Sequence, residues 1–295
     1  MPTSPTPTGD RRVILVTGAT GSQGGAVVDA LLDDGGWAVR ALTRDPAGAR
    51  ARALAARGVD VRAGDLADAG SLRPALAGVH GVFGVQNSRT AGLAGEVRQG
   101  RTLIDAAVAA GARHLVQTSV GGVERVRGIP HFDTKWRIEQ HLRDTPLDWT
   151  ILRPTTFTEV FTMRGASIGL SLMLAALGSD KPLQMVAVPD IGVFARLAFT
   201  RPEAYVGRAV ELAGDELTVP RIAETLRGSG RRVRLARPPK ALLRLMGPEA
   251  RMLFWFGESG YAADIAALRR EHPGLLTLQQ WLDLRGRSAA AHRVD

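Results

Sequence analysis

The run Val13-Ile14-Leu15-Val16-Thr17-Gly18-Ala19-Thr20-Gly21-Ser22-Gln23-Gly24-Gly25-Ala26-Val27-Val28 constrains the fold more than any other stretch of the chain. Its first four residues are aliphatic without a polar break, the pattern of a strand buried on both faces of a parallel sheet. Glycines then interrupt it. Val27, Val28, Leu31 and Leu32 resume at the spacing of one helix face, which Asp33-Asp34-Gly35-Gly36 closes. A strand that turns through glycines into a helix leaves the first helical N–H groups free to hold a diphosphate. The spacing is G-x-x-G-x-x-G rather than the commoner G-x-G-x-x-G, so the flanking strand and helix carry the reading of a nucleotide site.

The following sequence repeats that unit. Strands are expected at 12–18, 38–43, 60–63, 81–85, 114–119 and 148–152, and helices at 24–33, 47–57, 71–76, 92–110 and 132–144. Regular alternation of this kind builds right-handed β-α-β units into a doubly wound parallel sheet of the α/β, Rossmann type. Its ligand crevice lies beyond the carboxyl ends of the strands, so functional residues are expected just after each strand. From about Thr155 the alternation fails. Residues 157–177 read as one long apolar helical stretch, 186–191 and 209–212 as later strands, 221–227 as a helix and 233–236 as a short strand. The expected organisation is a tail at 1–10 and a nucleotide-binding domain at 11–158, with 186–214 returning to its sheet. A smaller α/β lobe toward the C-terminus, from 159–185 and 215–295, would cover the crevice.

Composition removes several function classes. The chain has no cysteine, which excludes a disulfide, a thiolate zinc site and a catalytic thiol, and agrees with a reducing cytoplasm. None of the six histidines falls in a metal-ligand spacing such as H-E-x-x-H, so no metal is expected. The longest apolar run, at 166–177, has about a dozen residues against the roughly 20 needed to cross a bilayer, so no membrane association is expected. The formal net charge is +9, and its densest cluster is Arg227, Arg231, Arg232, Arg234, Arg237 and Lys240. No helix-turn-helix or zinc-finger pattern accompanies that cluster and aromatics are only 5% of residues, so it reads as a solvated basic face and not a specific nucleic-acid site. Gly165-Ala166-Ser167-Ile168-Gly169 satisfies G-x-S-x-G by letter, with Asp190 and His272 in the right order downstream. It sits in a helical stretch with no strand before it, which argues against a hydrolase.

The crevice residues give a more definite chemistry. Thr20, Ser22 and Gln23 lie in the turn with Gly18, Gly21 and Gly24. Arg44 is the first charged residue after the second strand, where an acid usually meets the ribose; an arginine there favours a 2′-phosphate and so NADP(H), with Asp45 next to it as the competing acid. Asp65-Leu66 after the third strand suits the adenine, and Gln86-Asn87 after the fourth the ribose or nicotinamide, although Asp65 and Asn87 also suit helix caps. The fifth strand ends in Thr118-Ser119. Lys135 follows sixteen residues after Ser119 on a helix, with His131 one turn before it. Lys135 can bind ribose hydroxyls, and the His131 imidazole is the candidate general acid.

A strand-end serine followed by Y-x-x-x-K is the arrangement of short-chain dehydrogenases. This chain contains no Y-x-x-x-K; its two tyrosines, Tyr205 and Tyr261, are followed four residues on by Ala209 and Ile265. The sequence resembles the NmrA-like branch of atypical short-chain dehydrogenases through the glycine turn, Gly64-Asp65-Leu66, His131-Phe132-Asp133-Thr134-Lys135, Trp149-Thr150-Ile151-Leu152-Arg153-Pro154 and Leu212-Ala213-Gly214-Asp215-Glu216-Leu217-Thr218. Gly260-Tyr261-Ala262-Ala263-Asp264-Ile265, Pro273-Gly274-Leu275 and Trp281-Leu282 extend it, so that it runs from about residue 11 to 284. The resemblance implies NADP(H) binding on a Rossmann fold with a small lobe, with Pro154 and Phe157 at the edge of the cofactor site. It also implies one of two roles: a reductase of a small electrophilic substrate, or a non-catalytic redox sensor acting through a protein partner. Family members often read F-M-E-N where this chain has Phe157-Thr158-Glu159-Val160, so an asparagine is absent there. The sequence leaves the oligomeric state open.

Overall fold

The computed structural model describes residues 11–291, and the expected tail at 1–10 lies outside them. Strand β1 (Val13–Val16) feeds α1 (Ser22–Asp34), and alternation continues through β2 (Ala38–Thr43), α2 (Ala49–Ala56), β3 (Asp60–Ala63), α3 (Ala69–Leu76) and β4 (Gly81–Gly84). It then runs through α4 (Ser88–Ala109), β5 (His114–Thr118), α5 (Pro130–Arg143) and β6 (Asp148–Pro154). After β6 come β7 (Thr156–Phe157), a 3-10 turn (Thr158–Thr162), α6 (Ala166–Leu177), β8 (Pro182–Val186), α7 (Val188–Thr200), α8 (Pro202–Tyr205) and β9 (Arg208–Leu212). The chain closes with β10 (Asp215–Thr218), α9 (Val219–Gly228), a second 3-10 turn (Lys240–Met246), α10 (Pro248–Glu258), α11 (Ile265–Glu271) and α12 (Leu278–Ala291).

Seven strands form one sheet in the order β3-β2-β1-β4-β5-β6-β9, and three form a second in the order β10-β8-β7. β1 lies parallel to both β2 and β4, with Leu15 opposite Arg40 on one side and Val82 on the other. The chain first winds outward to β3 and then restarts at β4, so the strand order reverses between β1 and β4; in such sheets the ligand crevice opens at that reversal. Ile14, Leu15 and Val16 are fully buried, as an aliphatic strand in the middle of a doubly covered sheet must be. In the smaller sheet β8 runs antiparallel to β10 and parallel to β7.

Three expectations fail beyond β6, each for a local reason. The stretch 157–177 is not one helix: Gly165, at a left-handed φ of +87°, separates the 3-10 turn from α6. Residues 186–191 are not a strand, because β8 ends at Val186 and α7 begins at Val188, with Pro189 in its first turn, where a missing N–H costs nothing. Residues 233–236 join no sheet. The Arg234 and Ala236 amides instead donate to the hydroxyls of Ser167 and Ser171 on α6, at 3.3 and 2.9 Å, which removes their need for a strand partner.

The chain divides into two compact units, one of residues 11–118, 137–151 and 192–208, the other of 119–136, 152–191 and 209 onward. In the first, α1 turns Gly24, Val27, Val28 and Leu31 inward. α7 crosses α1 so closely that a Cβ at Gly192 would stand 2.2 Å from the Ala26 carbonyl oxygen. In the second, α6, α9 and α10 share a core with Leu183 and Met185 of β8. An aromatic group of Phe132, Trp255, Phe256 and Tyr261 packs in that core, with ring centroids 5.2–5.5 Å apart.

Candidate functional site

In the first unit, residues at the carboxyl ends of β1, β4 and β5 are cross-linked. The Thr17 amide donates to the Phe83 carbonyl at 3.0 Å, and the Thr17 hydroxyl accepts from the Val85 amide at 2.9 Å, which fastens the start of the glycine turn to the end of β4. Gly18 then takes φ +59°, a conformation that L side chains rarely adopt, and a Cβ there would meet Val85 at 2.6 Å. The Gly21 amide closes the turn on the Gly18 carbonyl at 2.8 Å. Gly24, in the first turn of α1, passes so near that a Cβ would stand 2.3 Å from the Gly18 oxygen.

α1 starts at this turn with no side-chain cap at Gly21 and no acid in its first turn. Gly21 and Ser22 are exposed. A helix start left in that state has unmet N–H donors and the positive end of its dipole turned toward solvent, which suits an anion. α2, α6 and α9 also start without a side-chain cap or an acid in the first turn, whereas three other helices are capped. Asp68 accepts from the Gly70 amide to cap α3, Asn87 from Arg89 to cap α4, and Asp264 from Ala267 to cap α11.

The loop after β2 presents cations. Asp45 turns its carboxylate back onto the Ala47 amide at 3.1 Å. Arg44 is exposed, and among the described residues its guanidinium has no partner. Arg50, in α2, donates to the Thr20 carbonyl at 3.2 Å, so a second arginine reaches the glycine turn itself. After β3, Asp65 accepts from the Ala67 amide at 2.9 Å and donates its own amide to the Ser71 hydroxyl oxygen at 2.9 Å, and Leu66 beside it is half-buried.

Across β4 and β5, Gln117 donates through Nε2 to the Gln86 side-chain oxygen at 2.8 Å, and the Thr118 hydroxyl donates to the Gln23 side-chain oxygen at 2.8 Å. The structure therefore brings Gln23, Gln86 and Thr118 into hydrogen-bonded pairs next to the glycine turn. Sequence reasoning missed three participants: Thr17, Gln117 and Arg50. Thr17 was detectable, since a hydroxyl immediately before the first motif glycine is placed to bond across the strand ends. Nothing in the sequence separates Arg50 from Arg52, two residues later on the same helix.

Ser119, His131, Lys135, Pro154 and Phe157 belong to the second unit. Ser119 donates its amide to the Leu152 carbonyl at 2.7 Å, while its hydroxyl is buried and, among the described residues, has no hydrogen-bond partner. His131 and Lys135 lie half-buried one helical turn apart on α5, and the His131 ring meets Phe132 edge-on with centroids 4.9 Å apart. The Pro154 carbonyl accepts from Gly121 at 2.8 Å, and half-buried Phe157 closes β7 opposite Val186. Tyr205 is buried, and burial pushes the Tyr261 phenol well above its ordinary range, so it stays neutral. The loop after Ser119 is braced by ions: Arg125 forks onto Glu211 at 3.0 and 3.1 Å and also meets Glu124, which Arg153 holds at 2.6 Å.

The hydrolase reading finds no support in this geometry. Ser167 opens α6 after a 3-10 turn, not after a strand, and its oxygen accepts from the Arg234 amide. Asp190 and His272 do pair, at 3.1 Å, but the other Asp190 oxygen holds the Leu276 amide at 3.2 Å. Among the described residues no group of His, Asp or Glu is arranged to hold a metal, and no helix is long and apolar enough to cross a membrane.

Strand order and glycine turn together define a doubly wound, Rossmann-type protein. The NmrA-like family model matches residues 10–277, and the chain belongs to that family. A relative from Streptomyces griseus, a (4-alkanoyl-5-oxo-2,5-dihydrofuran-3-yl)methyl phosphate reductase, is 35% identical over 205 residues, covering 69% of this chain and 68% of the relative. The NADPH-dependent quinone oxidoreductase QOR2 of Escherichia coli, solved with NADPH, superposes with a TM-score of 0.74 at 26% identity over 92% of this chain and 98% of its own. NmrA, a negative transcriptional regulator, shares the fold with a TM-score of 0.75 at 20% identity, over 92% and 95% of the two chains.

Proposed function

We propose that this protein is an NADPH-dependent oxidoreductase that reduces a small electrophile of quinone or carbonyl type without a Y-x-x-x-K dyad. The observation that carries the cofactor is the uncapped start of α1, packed so closely on the glycine turn that a Cβ at Gly24 would strike the backbone of Gly18 and Thr17. A dinucleotide diphosphate fits that donor set. Thr20, Ser22 and Gln23 line it with Gly21, and Arg44 and Arg50 offer two guanidinium forks to a 2′-phosphate. Asp65 and Leu66 are assigned to the adenine, Gln86, Asn87 and Thr118 to the ribose and nicotinamide end, and Lys135, Pro154 and Phe157 to the remaining edge.

When bound, NADPH supplies the hydride. The protein's part is to place the acceptor and to manage the oxyanion that forms on it. The unpartnered Ser119 hydroxyl is assigned to hold that oxygen, Lys135 to bind ribose hydroxyls as a cation, and His131 to deliver the proton. The activities of the S. griseus reductase and of QOR2 support a reductase. The second reading, a redox sensor that binds the same cofactor and signals to a protein partner, is favoured by one fact: His131 stands where the dyad tyrosine would be.

Calorimetric titration with NADP+, NADPH, NAD+ and NADH, followed by NADPH oxidation assays over quinones and aldehydes, separates the two. Turnover that falls at least tenfold in His131→Ala is the expected result. Tight binding without turnover, with unequal affinities for NADP+ and NADPH, would overturn the reductase in favour of the sensor, and no preference for the phosphorylated cofactors would remove the role given to Arg44.

A further inference from the structure

The basic cluster at 227–240 is not uniformly solvated. Arg227 donates to the Val233 carbonyl at 3.3 Å, and Arg231 to the Thr162 carbonyl at 3.4 Å, so both fold back onto the second unit. Arg231 and Arg232 together line a cleft of about 370 Å³, within the usual size of small-molecule sites, roughly 300–1,000 Å³. Buried Phe161 and Val233 floor it, and Met163, 61% exposed, forms an apolar rim.

Three features give this cleft a sign. Arg232 is exposed, and among the described residues its guanidinium has no partner. Arg231 spends a single N–H on Thr162, leaving the rest of its fork available. Gly165 to Ser167, the start of the twelve-residue helix α6, form the opposite wall, with no side-chain cap and no acid in the first turn. Among the described residues, no carboxylate lines the cleft. The arginine-bearing segment is held in place by the Ser167 and Ser171 hydroxyls described above, so the wall exists before any ligand arrives.

We propose that this cleft is an anion-recognition subsite for a small amphiphile: Arg231 and Arg232 fork a phosphate or carboxylate, and Phe161, Met163 and Val233 take an apolar body. The inference goes beyond the reductase reading and does not depend on it.

The test is calorimetry on the full chain, with and without saturating NADP+, using n-hexyl phosphate, hexanoate, hexan-1-ol and inorganic phosphate. Hexyl phosphate is expected to bind about tenfold or more tightly than hexan-1-ol or inorganic phosphate, with or without NADP+. Arg232→Gln should weaken it about tenfold and the double variant Arg231→Gln/Arg232→Gln should abolish it, with NADP+ affinity within about twofold of wild type. These arginines are exposed, so the variants should fold, and circular dichroism checks that. Equal affinity for the ester and the alcohol, or a double variant that binds like wild type, overturns the proposal. Failure of NADP+ to bind would overturn the reductase reading while the hexyl phosphate result still decided this one.

Discussion

A methyl group added at Gly24 would lie 2.3 Å from the Gly18 carbonyl oxygen, 2.4 Å from its carbon and 2.6 Å from the Thr17 oxygen. All three are backbone atoms of the turn, which cannot swing aside as a flexible side chain would. One residue further on, at Gly25, the nearest atom is the Ala19 oxygen at 3.5 Å, an ordinary contact. Gly24→Ala is therefore expected to lower stability by about 1–3 kcal/mol and to weaken NADP+ binding at least tenfold, because the turn must open. Gly25→Ala, within the same helix, should leave binding unchanged and stability equal or up to about 1 kcal/mol higher. Denaturant unfolding and NADP+ titration of both variants check this, and similar behaviour of the two would sink the argument. The sequence made the glycines conspicuous but not their division of labour: φ +59° is what requires Gly18, whereas close approach is what requires Gly24.

Elements become fixed to one another through groups that local patterning does not mark. His114 on β5 is such a group: its Nε2 lies 2.9 Å from the Thr150 hydroxyl on β6, and that hydroxyl donates to the Tyr205 carbonyl of α8 at 3.0 Å. Thr150 has given its only hydrogen to Tyr205, so it accepts from His114, whose proton must sit on Nε2. Burial pushes the imidazole pKa down to about 4, against a smaller opposing effect of Asp148 and with a further lowering by His80. The unfolded chain takes up that proton below about pH 6.5, whereas folded His114 takes it up only near pH 4. Between these values the unfolded state binds more protons, so His114's contribution is complete above pH 6.5 and drains away as pH falls toward 4, by about 3 kcal/mol. His114→Gln keeps an N–H donor but cannot titrate. The stability gap between wild type and this variant should shrink by about that amount between pH 7.5 and pH 4 in urea unfolding, and a gap independent of pH would refute the assignment.

For the whole molecule, the sequence is legible up to β6 and much less so beyond it. Residues 38–43 and 60–63 were expected as strands and are β2 and β3 to the residue, because the regular alternation of strand and helix patterns sets where each strand must fall. After β6 the same apolar richness serves a core of helices and a small mixed sheet, so periodicity alone could not tell 186–191 from a strand, nor see that serines of α6 would relieve 233–236 of one. The candidate site divides in the same way: strand ends announce themselves, whereas Arg50 and Gln117 enter through tertiary contacts. A ligand that binds only the folded chain stabilises it by RT ln(1 + [L]/Kd), about 2.7 kcal/mol at a hundredfold excess over Kd, whatever the local details of the site. NADP+ at that excess is therefore expected to raise the Tm by several degrees. NAD+ at the same concentration should raise it less, because it has no 2′-phosphate for Arg44 and Arg50 to hold, and Arg44→Ala/Arg50→Ala should bring the two shifts together. Thermal scans at matched nucleotide concentrations read the difference directly. Equal shifts in wild type would mean that the arginines beside the glycine turn are not selecting a phosphate, and the choice between NADP(H) and NAD(H) would have to rest elsewhere in the chain.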